Sequence, residues 1–260
     1  MIKLGGSALT DKKRAYTPRM SVIRRAARQV FTLGKRFSIV LVHGAGSYGH
    51  IPVKKFALAD GFRTPHQIRG LTETKSKLLE WQATLCDVFS RSRVPLMPLL
   101  ASDFVQAEEG RIASANLDSL RSWLRLGCIP AVGGDIVPDL KRSFSVVSGD
   151  QLASYLAIKL KATQLVFGTD VDGIFDSNPK LNSKAKLLSV LTPSSAFRIA
   201  GKAAGGTIPD VTGGMAGKIR EASLAAMKGI PVYFANLTKD QRLQETVLGK
   251  DVLCSKIRPI

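Results

Sequence analysis

The chain has 260 residues, and its 38 Lys and Arg against 20 Asp and Glu give a formal net charge of +18. Its 45% hydrophobic content, 22% charged content and 23 glycines exclude a disordered chain, a collagen and a disulfide scaffold, and are typical of Gly-rich α/β enzymes. No uncharged apolar run reaches the roughly 18 residues of a membrane span, and Cys86, Cys128 and Cys254 lack the spacing of a zinc site, so we expect a cytoplasmic protein without a metal-ligating motif.

Short runs rich in β-branched residues alternate with stretches of helical periodicity, which predicts a doubly wound α/β fold on a largely parallel sheet. The predicted strands lie near Met1 to Leu4, Ser38 to His43, Val94 to Pro98, Ile129 to Gly133, Phe144 to Ser148, Gln164 to Thr169 and Pro231 to Ala235. Apolar residues at i, i+3 and i+4 predict helices at Arg19 to Leu33, Gly70 to Ser90, Asp118 to Leu126, Gln151 to Leu160 and Gly217 to Lys228. The stretch from about Thr192 to Thr212 is predicted to be a long irregular loop, and its Gly201 to Thr212 part is a candidate lid.

Glycines cluster where predicted strands end. The clusters are Gly5-Gly6-Ser7, Gly44 to His50, Gly133-Gly134-Asp135, Ser148-Gly149-Asp150 and Gly213 to Lys218. Ligands of open α/β sheets bind beyond the carboxyl ends of the strands, and glycine lets backbone N–H groups approach an anion with no Cβ in the way. We therefore expect these turns to hold phosphate groups.

The run Gly44 to Gly49 matches GxGxxG after a strand, the pattern of a dinucleotide-binding loop. Asp60 comes too early to be the acid expected about twenty residues later, and His50 is an unusual neighbour for a pyrophosphate held by backbone alone. A nicotinamide or flavin dehydrogenase is therefore a minor alternative. No GxxxxGK[ST] sequence occurs, so a kinase of this sequence is not of the Walker type.

Cations accompany the glycine turns at Lys3, Lys12, Lys218 and His50. Each alone is consistent with a solvated or structural side chain. Phosphoryl transfer, however, depends mainly on positioning and charge neutralisation, which cations at separate turns can supply. A phosphate monoester, whose second pKa is about 6, is already an anionic nucleophile at neutral pH and needs no general base. Together the turns and the cations favour phosphoryl transfer.

The densest basic stretch, Thr10 to Arg36, contains a single acid, Asp11. Stacking surfaces for single-stranded nucleic acid need aromatic faces, and only Tyr16 and Phe31 occur there. No RNA-binding or helix-turn-helix signature is recognisable. A basic nucleic-acid-binding protein is therefore the non-enzyme alternative, and phosphorylated small molecules are the favoured partners.

Six motifs stand in order along nearly the whole chain: Lys3-Leu4-Gly5-Gly6-Ser7 with Thr10-Asp11-Lys12, His43 to His50, Gly134-Asp135-Ile136-Val137, Ser148-Gly149-Asp150, Thr169 to Ile174, and Asp210 to Met215 with Lys218. In this set the chain resembles the amino acid kinase superfamily. The Gly-Ser-aromatic-Gly-His ending at Gly46 to His50 is similar to its isopentenyl phosphate kinase branch.

The resemblance implies an open αβα sandwich with a mainly parallel central sheet, formed by one domain over residues 1–260. About residues 1–161 would bind the phosphate acceptor and about residues 162–260 the nucleotide. The implied reaction phosphorylates isopentenyl phosphate to isopentenyl diphosphate with ATP and Mg²⁺, in the alternative mevalonate route of isoprenoid biosynthesis. The implied assembly is a homodimer.

The resemblance also implies roles for individual positions. The catalytic residues would be Lys3, Lys12, His50, Asp150 and Lys218, with Asp150 orienting the lysines. ATP would contact Lys3, Gly5, Gly6, Ser7, Lys12, Thr169, Asp170, Asp172, Gly173, Gly214 and Lys218. The acceptor would contact Gly46, Ser47, Gly49, His50, Gly134, Asp135, Ser148 and Gly149.

An apolar acceptor tail needs a hydrophobic pocket, and Leu71, Leu78 and Leu79 are candidate residues for its wall. Ala45 stands where related loops commonly carry Gly, and a positive φ there would cost about 1 kcal/mol. A phosphonate kinase of the fosfomycin type and kinases of acetylglutamate, glutamate or nucleoside monophosphates stay open as alternatives. An amino acid acceptor would need partners for an ammonium and a carboxylate, and the sequence points to none.

Overall fold

A mainly parallel sheet organises the fold of the computed structural model, which describes residues 1–11, 14–203 and 214–260. The strands in these ranges are β1 (Ile2–Leu4), β2 (Leu41–His43), β3 (Leu96–Leu99), β4 (Val105–Glu108), β5 (Arg111–Ala115), β6 (Ile129–Gly133), β7 (Asp135–Asp139), β8 (Ser143–Val147), β9 (Leu165–Thr169), β10 (Val190–Leu191), β11 (Val232–Asn236) and β12 (Ser255–Ile257). The helices are α1 (Gly6–Leu9), α2 (Met20–Gly34), α3 (Ser47–Lys55), α4 (His66–Arg91), α5 (Asp118–Arg125), α6 (Gly149–Lys159), α7 (Pro193–Ala203), α8 (Gly214–Met227) and α9 (Arg242–Val247).

The larger sheet has the strand order β10-β12-β11-β9-β1-β2-β6-β3, and its neighbours run parallel except for β11 and β12. A smaller sheet has the order β5-β4-β7-β8. Each predicted strand and helix overlaps an observed one, and the prediction of a mainly parallel α/β fold is confirmed.

Apolar side chains cover both faces of the larger sheet because neighbouring residues of a strand point to opposite sides. On β1, Ile2 and Leu4 belong to a core shared with Val30 of α2 and Trp81 of α4. The opposite face packs Phe167 and other strand residues against α6 and α8. Lys3, between Ile2 and Leu4, therefore points toward the α6 side of the sheet.

The order in which the chain adds strands to the larger sheet reverses at β1. The chain runs from β1 to β2 on one side, and only later reaches β9 on the other side. Such a switch point opens a crevice at the carboxyl ends of the strands, where open α/β sheets bind ligands. The first glycine turn, Gly5-Gly6-Ser7, lies directly at this crevice.

The prediction of an irregular loop from Thr192 is wrong for its first part, because Pro193–Ala203 form helix α7. Thr192 and Ser195 exchange hydrogen bonds between the backbone N–H of each and the side-chain oxygen of the other, at 3.0 and 3.2 Å, and Pro193 occupies the first helical turn. Both features are helix-start signals. The remaining stretch 204–212, with most of the candidate lid, lies outside the described residues. In the described ranges, no helix is both long and apolar enough to cross a membrane.

Candidate active site

A cavity of about 170 Å³ lies at the crevice, beyond the carboxyl ends of β1 and β9. All five glycine clusters of the sequence contribute to its wall. The residues that line it are Lys3, Gly6, Ser7, Gly44, Ala45, Gly46, Gly49, His50, Val53, Thr74, Leu78, Gly134, Asp135, Ile136, Val146, Val147, Ser148, Gly149, Asp150, Thr169, Asp170, Gly214, Met215 and Lys218.

Two buried lysines meet one buried carboxylate in the wall of this cavity. The ammonium groups of Lys3 and Lys218 lie 2.6 and 2.7 Å from the same oxygen, Oδ1 of Asp150. Asp150 is held in the first turn of α6, whose N-cap Ser148 accepts a hydrogen bond from the N–H of Gln151 at 3.1 Å. The cluster joins β1, α6 and α8, and it carries two positive charges against one negative charge.

The charge states of the cluster follow from burial and mutual attraction. Burial alone raises the pKa of Asp150, but the charges of Lys218 and Lys3 and their hydrogen bonds outweigh it and lower this pKa to about 2. Burial lowers the pKa of Lys3 to about 8, an effect that the Asp150 carboxylate opposes and the Lys218 ammonium reinforces. At neutral pH the cluster therefore keeps a net positive charge, which suits an anionic ligand.

The loop Gly44 to His50 passes close to the first glycine turn and leads into α3. Gly46 has a φ of +53°, and a Cβ built on it would lie 2.2 Å from Oγ1 of Thr10. A Cβ on Gly49 would lie 2.6 Å from Cβ of Ala45. The residue with a positive φ is thus Gly46 and not Ala45, so the strain considered for Ala45 does not arise.

The aromatic side chains of Tyr48 and Trp81 hold this loop in place, which the sequence motifs did not reveal. Trp81 Nε1 donates to the carbonyl of Gly44 at 3.0 Å, and the Tyr48 ring stacks on Trp81 at a centroid distance of 5.2 Å. The Tyr48 hydroxyl donates to the carbonyl of Tyr16 at 2.8 Å. In the sequence, a large aromatic residue at helical spacing predicts only a core position for Trp81. The hydrogen bond from its indole N–H to the Gly44 carbonyl depends on the fold, which brings α4 next to this loop.

The cavity changes character beside His50. Val53, Leu78, Ile136 and Val146 form an apolar wall there. Leu78 is the one candidate tail-pocket leucine that lines this cavity: Leu71 packs against the small core that includes Val53 and Ile136 but does not line the cavity, and Leu79 is 47% exposed. The wall therefore combines a charged part, which suits an anion, with an apolar part, which suits a short hydrocarbon.

Two further carboxylates face the cavity, and each has a cation as partner. Both oxygens of Asp135 accept from Lys75 Nζ, at 2.7 and 2.8 Å, and one also accepts from the N–H of Ser102. Asp170 pairs with Lys180 and accepts from Ser7 Oγ at 3.3 Å. Lys75 and Lys180 were missed in the sequence because, as isolated lysines, they read as solvated charges.

The described structure brings most predicted site residues together at this cavity, except for four that stand elsewhere. The N–H of Gly5 donates to Gly168 O at 2.8 Å, and Gly173 packs against Ser255. Asp172 accepts from Asn236 and Arg242. Ser47 Oγ is buried and has no hydrogen-bond partner among the described residues. Lys12 lies outside those residues.

The side chains and turns that line the cavity determine which kind of ligand it suits. Within residues 1–11, 14–203 and 214–260, no group of three or more His, Cys, Asp or Glu side chains could hold a metal ion. The donor set of the cavity is instead rich in ammonium groups and glycine turns, which suits phosphate oxygens.

These features define an α/β protein with a cavity at the switch point of its sheet and a buried lysine–aspartate cluster in the cavity wall. The family model described as "Amino acid kinase family" matches residues 1–236. A curated isopentenyl phosphate kinase of Methanothermobacter thermautotrophicus is 33% identical, over 99% of this chain and 98% of the relative. The chain therefore belongs to the amino acid kinase family and is a kinase.

Two further sequence relatives and a solved structure extend this comparison. An isopentenyl phosphate kinase of Methanocaldococcus jannaschii is 27% identical over 96% of this chain and 95% of the relative. A solved structure titled "X-ray structures of isopentenyl phosphate kinase" superposes with a TM-score of 0.84 at 30% identity and covers 98% of both chains. A glutamate 5-kinase of Streptococcus sanguinis is 27% identical, but the match covers only 64% of that relative.

Proposed function

We propose that this chain transfers the γ-phosphoryl group of ATP to isopentenyl phosphate and forms isopentenyl diphosphate and ADP. The observation that carries the proposal is the mixed wall of the cavity: Lys3, Lys218 and Asp150 leave a net positive charge in one part of it, and Val53, Leu78, Ile136 and Val146 form an apolar part. A small hydrocarbon with a phosphate head matches both parts. The names of the full-length relatives support the same acceptor.

In this proposal the acceptor needs no general base, because a phosphate monoester is already an anion near neutral pH. One of its oxygens forms the new bond to the γ-phosphorus while the bond between that phosphorus and the β–γ bridging oxygen breaks, and ADP leaves. Lys3 and Lys218 would neutralise charge on the phosphoryl group in flight, with Asp150 fixing both ammonium groups. His50 and the Gly46 turn would bind the acceptor phosphate.

The nucleotide would enter from the side of β9, where Thr169, Asp170 and Gly214 line the cavity. Mg²⁺ would arrive with ATP and add positive charge at the phosphate oxygens. Lys12 is assigned to the ATP phosphates by the family resemblance alone. A cytoplasmic location, a homodimer, a division near residue 161 and a place in the alternative mevalonate route belong to the same proposal.

An amino acid acceptor fits this cavity less well. Its ammonium would need a free carboxylate, but Asp150 is shared by two lysines, Asp135 pairs with Lys75 and Asp170 pairs with Lys180. Among the residues that the structure describes, Val53, Leu78, Ile136 and Val146 of the apolar wall carry no side-chain partner for a second carboxylate. This distinguishes the proposal from a glutamate or acetylglutamate kinase.

The decisive experiment measures ADP release by the purified full chain with ATP and Mg²⁺. Isopentenyl phosphate, dimethylallyl phosphate, fosfomycin, UMP and acetylglutamate are compared at equal concentrations. We expect kcat/KM to favour isopentenyl phosphate by about 100-fold over fosfomycin, UMP and acetylglutamate, because of these four it alone matches both the charged and the apolar part of the wall. Preference for fosfomycin or UMP would reassign the acceptor. No turnover with any acceptor, together with salt-dependent binding of nucleic acid, would contradict the enzyme proposal.

A further inference from the structure

The tip of the hairpin β4–β5 is held unusually firmly for an exposed turn. Glu109 and Gly110 form the turn, both with positive φ. The buried Asp139 carboxylate accepts hydrogen bonds from the N–H groups of Glu109, Gly110, Lys141 and Arg142 and from Ser145 Oγ. Burial alone raises the pKa of Asp139, but these hydrogen bonds outweigh it and hold the pKa well below its usual range. The carboxylate therefore stays charged and fixes the turn.

The same hairpin is tied to α6. Gln151 Oε1 accepts from the N–H of Ile112 at 2.7 Å, and Gln151 Nε2 donates to the carbonyl of Gly110 at 3.2 Å. Gln151 directly follows Asp150, the carboxylate that both buried lysines share. The turn is thus joined to the helix that carries the centre of the charge cluster.

Arg111, next to the turn, reaches across to α8. Its two terminal nitrogens donate to the two carboxylate oxygens of Glu221, a paired geometry in which the Arg111 side chain is 57% exposed and the Glu221 side chain only 11%. The Glu221 carbonyl also accepts from Ser154 Oγ of α6 at 2.8 Å. Helices α6 and α8 therefore meet twice, at Asp150 with Lys218 and one turn further on at Ser154 with Glu221.

Glu221 stands three residues after Lys218 on α8, a spacing at which a Glu and a Lys of one helix are neighbours. A Glu221 carboxylate without Arg111 would be a nearly buried charge that lacks its cation. The nearest ammonium on its own helix is that of Lys218. Because Arg111 forms an ion pair with Glu221, Lys218 pairs with Asp150.

We propose that Arg111 is a positioning residue for Lys218: by binding Glu221 from the fixed tip of the β4–β5 hairpin, it holds α8 in place and prevents Glu221 from competing with Asp150 for the Lys218 ammonium. The inference rests on the proposed phosphoryl transfer, in which Lys218 contacts the phosphates. The hairpin tip is also connected to the acceptor side of the cavity. Strand β7 begins at the acceptor wall, with Asp135 and Ile136, and ends at Asp139, which fixes the hairpin tip.

The test compares Arg111→Ala, Arg111→Lys and the double variant Arg111→Ala with Glu221→Gln. We expect Arg111→Ala to lower kcat about 10-fold at saturating ATP and acceptor, with the acceptor KM within about twofold, because a displaced Lys218 acts mainly in the transition state. Arg111→Lys should recover part of the rate. Glu221→Gln in the Arg111→Ala background should recover most of it, since the competing charge is gone; a double variant slower than the single one would overturn the proposal.

Lys141→Ala is the matched control, because Lys141 pairs with Glu108 of the same hairpin, both are exposed, and the pair does not involve α8. Its kcat should equal that of the unmodified chain. Hydrogen exchange of the amides in 214–227 gives a readout without turnover: Arg111→Ala should accelerate exchange there and Lys141→Ala should not. Unchanged exchange in Arg111→Ala would overturn the proposal even if the chain phosphorylates a different acceptor or none.

Discussion

At the scale of single residues, the site depends on one carboxylate oxygen that serves two ammonium groups. The sequence motifs pointed to Lys3, Asp150 and Lys218 individually, because each stands beside a glycine turn. The family resemblance implied that Asp150 orients the lysines, but local sequence patterns give no such contact, since Lys218 and Asp150 are 68 positions apart and meet through the packing of α6 on α8. Lys75, Lys180 and Arg111 were missed because their partners, Asp135, Asp170 and Glu221, can be recognised only in the folded structure.

Lys218→Ala tests the charge cluster directly. We expect kcat to fall by about 100-fold or more with both substrates saturating, because a charge contact of the transition state is removed. Steady-state ADP release is the measurement. Lys228→Ala, an exposed lysine just beyond the same helix, is the control and should keep the full rate. A near-normal rate in Lys218→Ala would remove this lysine from the reaction.

The lowered pKa of Lys3 predicts a pH dependence. Lys3 is cationic below its pKa of about 8 and loses its charge above it, so kcat/KM for ATP should fall as the pH rises through about 8. Bound phosphates favour the charged form, so kcat at saturating substrate should persist to higher pH. In Lys3→Arg the alkaline fall of kcat/KM should disappear, because a guanidinium stays protonated. The same fall in Lys3→Arg would assign the titration to another group.

At the scale of elements, periodicity identified the long amphipathic helices and the buried strands of the larger sheet. In the smaller sheet it identified only β8: β7 contains a proline and has Asp at both ends, and β4 is only four residues long. It also failed for α3, where the glycines of Gly44 to Gly49 indicated a turn while the helix already begins at Ser47. Local propensity was overridden there by the contacts of Tyr48 with Trp81.

The close approach of Gly49 to Ala45 predicts that a substitution at position 45 can restore acceptor binding that a substitution at position 49 has weakened. Gly49→Ala should weaken acceptor binding strongly, because the new Cβ would lie 2.6 Å from Cβ of Ala45 and displace the loop that carries His50. Ala45→Gly alone should be nearly neutral. Together the two substitutions should restore the acceptor KM, since the next neighbour of the new Cβ, Leu78, lies at an ordinary 3.6 Å. The KM for isopentenyl phosphate is the measurement, and a double variant as poor as Gly49→Ala would contradict this geometry.

At the scale of the whole molecule, the net charge of +18 acts on ATP and on the phosphate acceptor of the proposed reaction, both of which are polyanions. We expect kcat/KM to fall as KCl is raised from about 0.01 to 0.1 M, because the Debye length shrinks from about 30 to about 10 Å and the long-range attraction is screened. The value of kcat should change little, which makes it the internal control. A parallel fall of both parameters would place the salt effect on the bound complex instead of on the encounter.

The position of Lys3 on the middle strand has a consequence for how the protein folds. Residues 2–4 pair with residues 41–43 on one side and with residues 166–168 on the other, so β1 is enclosed only after a very long stretch of chain has been made. Closing a loop of that length is the slow, entropically costly part of assembling such a sheet. The lysine cluster therefore comes together only when the sheet closes, and a chain that can bind a phosphate at this cavity has already completed its most non-local pairing.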